Sequence, residues 1–361
     1  MRQTAKQLIV LAVVGILAAA ASASPADEID DYLRAEMEKR HVPGMSLAVV
    51  KDGQLVKSAG YGLANVELNV PAQPESVFKI GSVSKQFLAT GIMLLVQDGK
   101  LAVDDKITSF LDAPPETWSE ITVRHLLTHT SGLPREAPGF VQLKVQSEAD
   151  VIKSAYPVKL LFEPGTQFRY CNLGYFTLAE IIHKVSGKPW GDFLKERVFD
   201  PLQMHATRVT TMSEIVPARA SGYYFRRGGL ANDEVFLAVR PSGAFLSSVL
   251  DMAKWDAALY GDTILKEATR TAMWTPVTLN DGTPQPYGFG WQVLSPGGKR
   301  AVRHGGSLGG FRAEFIRFLD EKLSVIILTN GGGALPGVWS LQVAKHYIAD
   351  LSLQPAAAGA D

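Results

Sequence analysis

The sequence predicts an α/β (α+β) fold in which one antiparallel sheet takes strands from both ends of the chain, flanked by helices. The first observation is that apolar residues suited to strands occur early, at 45–50 and 55–61, and again late, at 311–318 and 323–329. The second is that apolar runs of helical length, separated by Pro and Gly, fill 104–244. We expect the active site in the cleft between the sheet and this mainly helical insertion.

The first elements are predicted to be a helix and a hairpin. Ile29, Leu33 and Met37 recur at helical spacing, and the turn Lys51-Asp52-Gly53-Gln54 separates the first two strand patterns. The early part of the sheet is therefore a β-hairpin that follows one amphipathic helix.

The later elements are predicted from the same two periodicities. Helical runs occur at 122–130 and 172–185 within the insertion, strands at 288–294 and 300–304 begin the late part of the sheet, and a helix covers 338–348. We therefore divide one folded domain, residues 24–352, into an α/β part and a helical part. The α/β part consists of residues 24–103 and 245–352.

The two ends of the sequence have a different character. Arg2 and Lys6 precede an uncharged run at 8–20, which predicts a signal peptide at 1–23. We accordingly expect an exported protein, periplasmic or secreted, without a stable membrane anchor. The Ala-rich residues 353–361 are predicted to be a disordered tail.

Charge and cysteine content restrict the partners and the means of stabilisation. The 361 residues contain 36 Lys and Arg and 36 Asp and Glu, with no long run of one sign, which disfavours nucleic acid and anionic membranes as partners. A small or weakly charged substrate is expected. Cys171 is the lone cysteine, so an internal disulfide is excluded. The oligomeric state is left open.

The strongest local motif is Ser82-Val83-Ser84-Lys85, which opens the apolar stretch 87–96. Residues three apart share one face of a helix, so the Ser82 hydroxyl and the Lys85 amine are expected to meet. Burial disfavours an ammonium group and lowers its pKa. A lysine in that state can take a proton from serine, so the motif indicates a serine hydrolase.

Two further motifs follow in order, Tyr170-Cys171-Asn172 and His304-Gly305-Gly306-Ser307. With SxxK first, YxN second and HxG third, the chain resembles the β-lactamase and penicillin-binding superfamily. It is most similar to the group of class C β-lactamases, DD-carboxypeptidases, D-aminopeptidases and family VIII esterases. The resemblance covers nearly all of the chain after the signal. It extends through Leu126-Leu127-Thr128-His129-Thr130-Ser131-Gly132-Leu133-Pro134, Glu163-Pro164-Gly165, Asn172-Leu173-Gly174-Tyr175 and Tyr287-Gly288-Phe289-Gly290-Trp291.

The resemblance implies roles for the motif residues. Ser82 would be the acylated nucleophile, and Lys85 and Tyr170 would carry protons, with either of them as the general base. Asn172 would bind the substrate and the lysine, and the backbone amides of Ser82 and Ser307 would stabilise the oxyanion. His304 and Gly306 would contribute to substrate binding.

The implied function is hydrolysis of an ester or amide, with a small ester or a D-amino-acid-containing peptide as substrate. The third motif departs from the Lys-Thr-Gly of most β-lactamases, because His304 and Gly305 replace the lysine and the threonine. This weakens the prediction for penicillin-like acids, although Arg312 could restore a carboxylate contact or be a surface residue. The alternatives are a β-lactamase or DD-carboxypeptidase and, in another class, a protein that binds penicillin or cell-wall peptides without turnover.

Other motifs have weaker interpretations. His125 and His129 stand four apart, but no glutamate follows His125, so we predict structural roles, no metal and no cofactor. Residues 305–309 match the GxSxG nucleophile elbow, yet the strand pattern that follows them disagrees with the helix that an elbow requires. Cys171 is a third candidate nucleophile, and in an extended segment its side chain points away from Tyr170 and Asn172.

Overall fold

The computed structural model describes residues 25–209, 214–233 and 238–353. The predicted signal peptide at 1–23 and all but the first residue of the predicted tail lie outside these residues, so both stay predictions. Within the described ranges, no helix has the length and apolarity needed to span a membrane.

The helices and strands of this part of the chain alternate irregularly. The α-helices are α1 (Pro25–Lys39), α2 (Ser84–Gln97), α3 (Val123–Leu127), α4 (Glu148–Lys153), α5 (Asn172–Ser186), α6 (Trp190–Leu194), α7 (Val249–Ala258), α8 (Glu267–Met273) and α9 (Pro336–Lys345). The strands are β1 (Gly44–Lys51), β2 (Gln54–Asn65), β3 (Val70–Pro71), β4 (Phe78–Lys79), β5 (Arg208–Val209), β6 (Tyr223–Arg226), β7 (Gly229–Asn232), β8 (Phe245–Ser247), β9 (Val277–Thr278), β10 (Pro284–Gln285), β11 (Gln292–Leu294), β12 (Ala301–Leu308), β13 (Phe311–Phe318) and β14 (Leu323–Thr329). Short 3₁₀ turns occur at Gly81–Val83, Ile107–Phe110, Glu116–Trp118 and Pro296–Gly298, and a π turn at Lys195–Phe199 follows α6.

The main sheet confirms the predicted fold class. Its seven described strands run in the order β11-β12-β13-β14-β1-β2-β3, and each neighbouring pair is antiparallel. The first strand pairs with the last, with Ala48 opposite Ile326. The two ends of the chain therefore form one sheet, and the segment between them connects its two edge strands, β3 and β11.

The sheet separates two apolar cores because successive side chains of a strand point to opposite faces. In β1, Met45, Leu47 and Val49 join the core beneath α1 and α9, whereas Ala48 and Val50 join the larger core that contains α2 and α7. In this larger core, α7 packs on the sheet, and α2, which follows Ser82, packs against α5 and α6 of the insertion.

Two predicted elements are shorter than the sequence pattern suggested. The run at 122–130 is helical at Val123–Leu127, because the residues after it leave the helix and His129 has a φ of 61°. The run at 288–294 is a strand at Gln292–Leu294, since Gly290 has a φ of 78° in a turn that packs on the carbonyl of Lys85. In both places backbone conformation outweighs the apolar pattern.

Candidate active site

Ser82 lies in the 3₁₀ turn Gly81–Val83, directly against β12 of the sheet. Gly81 has a φ of 52°, and a Cβ atom there would lie 2.6 Å from the backbone nitrogen of Ser307. A Cβ on Gly306 would lie 2.0 Å from the carbonyl oxygen of Ile80. These two glycines allow the backbones of the turn and the strand to touch, which places the amide of Ser307 beside the Ser82 turn.

Lys85, in the first turn of α2, is fully buried. Its Nζ donates to Ser82 Oγ at 3.2 Å, to Asn172 Oδ1 at 2.9 Å and to the carbonyl oxygen of Ser242 at 2.8 Å. All three acceptors are uncharged. Burial, reinforced by the positive charge of Arg240, holds the pKa of Lys85 well below its usual range.

Tyr170 lies beside this lysine, with its ring centroid 4.8 Å from Lys85 Nζ. Burial raises the pKa of Tyr170, although its hydrogen bond with Ser82 and the nearby Arg135 guanidinium act in the opposite direction. The surroundings thus favour a neutral amine on Lys85 and a neutral phenol on Tyr170. A neutral amine can accept a proton, whereas a neutral phenol can pass one on.

Asn172 is the first residue of α5 and is buried. Its amide oxygen accepts from Lys85, and its Nδ2 donates to Glu136 Oε1 at 2.6 Å. Glu136 also forms an ion pair with Arg240 at 2.9 Å. The YxN motif is therefore connected to two charged residues that the sequence analysis did not select.

Cys171 is the free, buried cysteine between the two motif residues. Its thiol donates to the carbonyl oxygen of Pro134 at 3.2 Å, and its sulfur accepts the N–H of Gly174 at 3.3 Å. Burial raises the pKa of the Cys171 thiol to about 12. A thiol in this state caps α5 and is a poor nucleophile.

His304 is buried on β12 and has both ring nitrogens engaged. Nδ1 lies 2.7 Å from the carbonyl oxygen of Gly305, which can only accept, so Nδ1 carries the proton. Nε2 then accepts from the Tyr287 hydroxyl at 2.9 Å. Burial lowers the pKa of His304 to about 3, so its ring is neutral at physiological pH.

The end of β12 decides the elbow hypothesis and shows the contacts of Arg312. Ser307 lies within β12, which turns directly into β13, so no helix follows the GxSxG sequence and the elbow hypothesis is wrong. Arg312 donates to the carbonyl oxygens of Gly309 and Phe311 at 3.0 and 2.8 Å. Its guanidinium thus ties down this turn.

The two histidines of the insertion lie in separate surroundings. His125 forms a capping box with Thr122 at the start of α3. His129 is buried 4.3 Å from the Tyr170 ring, and its Nδ1 accepts the backbone N–H of Cys171 at 3.1 Å. The described residues contain no cluster of three or more His, Cys, Asp or Glu side chains suited to a metal.

The structure brings together most of the residues selected from sequence and adds others. Ser82, Lys85, Tyr170 and Asn172 form one contact network, with Ser307 beside it. The sequence analysis missed Glu136, Arg240 and Ser242, which reach Lys85 through tertiary contacts. Glu136 and Arg240 carry no local pattern, and Ser242 contributes a backbone carbonyl that every residue has. These three positions had no signal in a single sequence.

Comparisons with known proteins agree with this fold. The profile of the β-lactamase family matches residues 29–344. The chain is 32% identical over 315 residues to penicillin-binding protein 4* of Bacillus subtilis (strain 168), which covers 81% of this chain and 69% of that protein. It is 31% identical to a D-aminopeptidase of Brucella anthropi, over 81% of this chain and 57% of that protein. The structure of the octameric penicillin-binding protein homologue from Pyrococcus abyssi superposes with a TM-score of 0.81, at 28% identity, over 90% of this chain and 77% of that one.

Proposed function

The chain belongs to the β-lactamase family of serine hydrolases, and from that premise we propose that it cleaves an ester or amide through an acyl-enzyme on Ser82. The observation that carries the proposal is the position of Lys85. A fully buried amine whose Nζ lies 3.2 Å from Ser82 Oγ, with uncharged oxygens of Asn172 and Ser242 as its other contacts, is suited to be the general base, because in its neutral form it can accept the proton of that hydroxyl.

The reaction follows from these contacts. Neutral Lys85 takes the proton from Ser82 Oγ, which attacks the substrate carbonyl carbon and forms a tetrahedral intermediate. The backbone amides of Ser82 and Ser307 stabilise its oxyanion. The proton then passes from the Lys85 ammonium through the Tyr170 hydroxyl to the leaving oxygen or nitrogen, and the carbon–heteroatom bond breaks. Water attacks the acyl-enzyme by the reverse transfers and releases the acid.

The third motif narrows the substrate class. His304 is neutral, and its ring nitrogens are occupied by Tyr287 and Gly305, so it offers no cation to a penicillin carboxylate. We therefore propose a small ester or a D-amino-acid-containing peptide as substrate. The likeness to a D-aminopeptidase supports the peptide, and the likeness to a penicillin-binding protein keeps β-lactams and cell-wall peptides as the alternative.

We also propose that the protein is exported to the periplasm or secreted. Support comes from the basic start and apolar run of residues 1–23. The mass of the intact protein recovered after expression in its source should correspond to a chain beginning near Ser24. A mass that includes the residues before Ala21 would contradict export with cleavage.

Mass spectrometry of the acyl-enzyme tests the hydrolase proposal. Wild type, Ser82→Ala and the matched control Ser307→Ala are exposed briefly to p-nitrophenyl acetate, a penicillin and a D-alanyl peptide, while product release is followed in parallel. We expect an acetyl adduct on Ser82, turnover in the Ser307 control and none in Ser82→Ala. Turnover that survives in Ser82→Ala would disprove the mechanism. A stable adduct on the wild type without product release would favour the alternative of a protein that binds penicillin or cell-wall peptides without turnover.

A further inference from the structure

The Asn172 amide has a single orientation that fits its two partners. Glu136 Oε1 lies 2.6 Å from Asn172 Nδ2, and a carboxylate can only accept, so the amide nitrogen faces Glu136. The amide oxygen then faces Lys85, whose Nζ donates to it at 2.9 Å. If the amide were rotated so that its oxygen and nitrogen exchanged places, both hydrogen bonds would be lost.

Arg240 completes this network from a different segment of the chain. Its guanidinium binds Glu136 through both carboxylate oxygens, at 2.9 and 3.3 Å. Two residues later, the carbonyl of Ser242 accepts directly from Lys85 at 2.8 Å. The ion pair therefore joins the segment that orients Asn172 to the segment that holds the lysine.

The two charges of the pair act on Lys85 in opposite directions. The Glu136 carboxylate raises the pKa of Lys85 and the Arg240 guanidinium lowers it. Arg135 adds a second positive charge from the Glu136 segment. The remaining titratable groups facing Lys85 are held neutral by burial, namely Tyr170, Tyr175 and Cys171 around the start of α5, His129 after α3, and His304 on β12.

We infer that Glu136 and Arg240 are positioning residues for the proposed hydrolysis, which orient the Asn172 amide toward Lys85 and balance the charge around that base. The inference rests on the proposed function, because it concerns the residue that activates Ser82. Neither residue touches the reacting atoms. Their effect reaches the chemistry through Asn172 and through the field at the Lys85 amine.

Two substitutions of opposite charge test this inference. Glu136→Gln removes a negative charge that stabilises the Lys85 ammonium, so the pKa of Lys85 should fall. The acid limb of the pH profile of kcat/KM should therefore move to lower pH. Arg240→Gln removes a positive charge, so the same limb should move to higher pH. We expect each shift to be about half a unit to one unit. The rate of p-nitrophenyl acetate hydrolysis is measured from pH 5 to 9 against a Ser82→Ala blank.

The double variant and a matched pair serve as controls. Glu136→Gln with Arg240→Gln should return the limb toward its wild-type position. Arg300 and Asp320 form an exposed ion pair beyond the site, so Arg300→Gln and Asp320→Asn should leave the limb unchanged.

Each outcome separates this inference from the proposed function. Loss of Ser82-dependent acylation in wild type would remove the proposed function itself. Suppose that the wild type is acylated normally. If the acid limb is then unchanged in both single variants, or moves in the same direction in both, the role of the pair is overturned while the hydrolase mechanism stands. If Glu136→Gln fails to fold, Arg240→Gln decides alone, because a limb that stays in place contradicts the inference.

Discussion

Lys85 and Arg317 both have buried basic side chains, yet their surroundings differ. Arg317 on β13 binds the carboxylate of Asp256 on α7, and Ser324 donates to the same carboxylate. Lys85 Nζ contacts three uncharged oxygens, and the carboxylate nearest to it in the network, Glu136, is hydrogen-bonded to Asn172 instead.

The difference shows how one fold uses burial for two purposes. A guanidinium stays charged in proteins, and an adjacent carboxylate makes its burial tolerable, so Arg317 with Asp256 ties the sheet to α7. An amine without a contacting carboxylate is driven toward its neutral form, so Lys85 can take a proton. In this protein, the contacts of a buried basic side chain therefore decide whether it remains a structural cation or becomes a reactive neutral amine.

Lys85→Arg should have the largest effect, because a guanidinium cannot serve as a base. We expect kcat/KM for p-nitrophenyl acetate to fall by about 100-fold or more, with the free energy of unfolding measured alongside. Lys106→Arg, in an exposed ion pair with Glu120, is the matched control and should retain the wild-type rate. An active Lys85→Arg enzyme would show that this lysine is not the base.

Asp256→Asn tests the structural half of the comparison. The change leaves Arg317 buried without its countercharge, so we expect the folded state to lose about 3 to 5 kcal/mol, measured by urea unfolding. The rate per folded molecule should be unchanged. Asp320→Asn, at the exposed pair with Arg300, should alter stability little. Equal effects of the two substitutions would contradict the account.

Acidification should destabilise the protein through His304. The unfolded imidazole takes up a proton near pH 6.5, while the folded one does so near pH 3, so protons favour the unfolded chain between these values. We expect a loss of about 2 kcal/mol at pH 5 from this group. His304→Gln should reduce the slope of the pH dependence of unfolding between pH 7 and 5, and an unchanged slope would show that His304 already titrates normally.

The smallest expected effect is that of iodoacetamide on the native protein, in which Cys171 should not be alkylated. Burial raises the pKa of its thiol to about 12, so iodoacetamide at pH 8 should modify the chain only after unfolding. Peptide mass mapping with and without urea measures this. Rapid native labelling would mean that the start of α5 opens readily.

The sequence predicted the features that depend on local pattern. The apolar stretches at 45–50 and 323–329 predicted strands, which pair as β1 and β14 in the structure, and the spacing of Ser82 and Lys85 predicted the contact between their side chains. Charge balance at the site was not predictable, since Glu136 and Arg240 are 104 residues apart and meet through the fold. The hydrogen bond that occupies His304 Nε2 comes from Tyr287, which is another tertiary contact.

The central claim is that Lys85 is a neutral amine in the folded enzyme, and ¹⁵N NMR of lysine side chains tests it directly. Protein labelled with ¹⁵N-lysine is titrated from pH 5 to 11, and the signal missing from Lys85→Arg identifies Lys85. We predict a transition well below the usual lysine pKa of 10.5. An ammonium signal that persists to pH 10 would contradict the account.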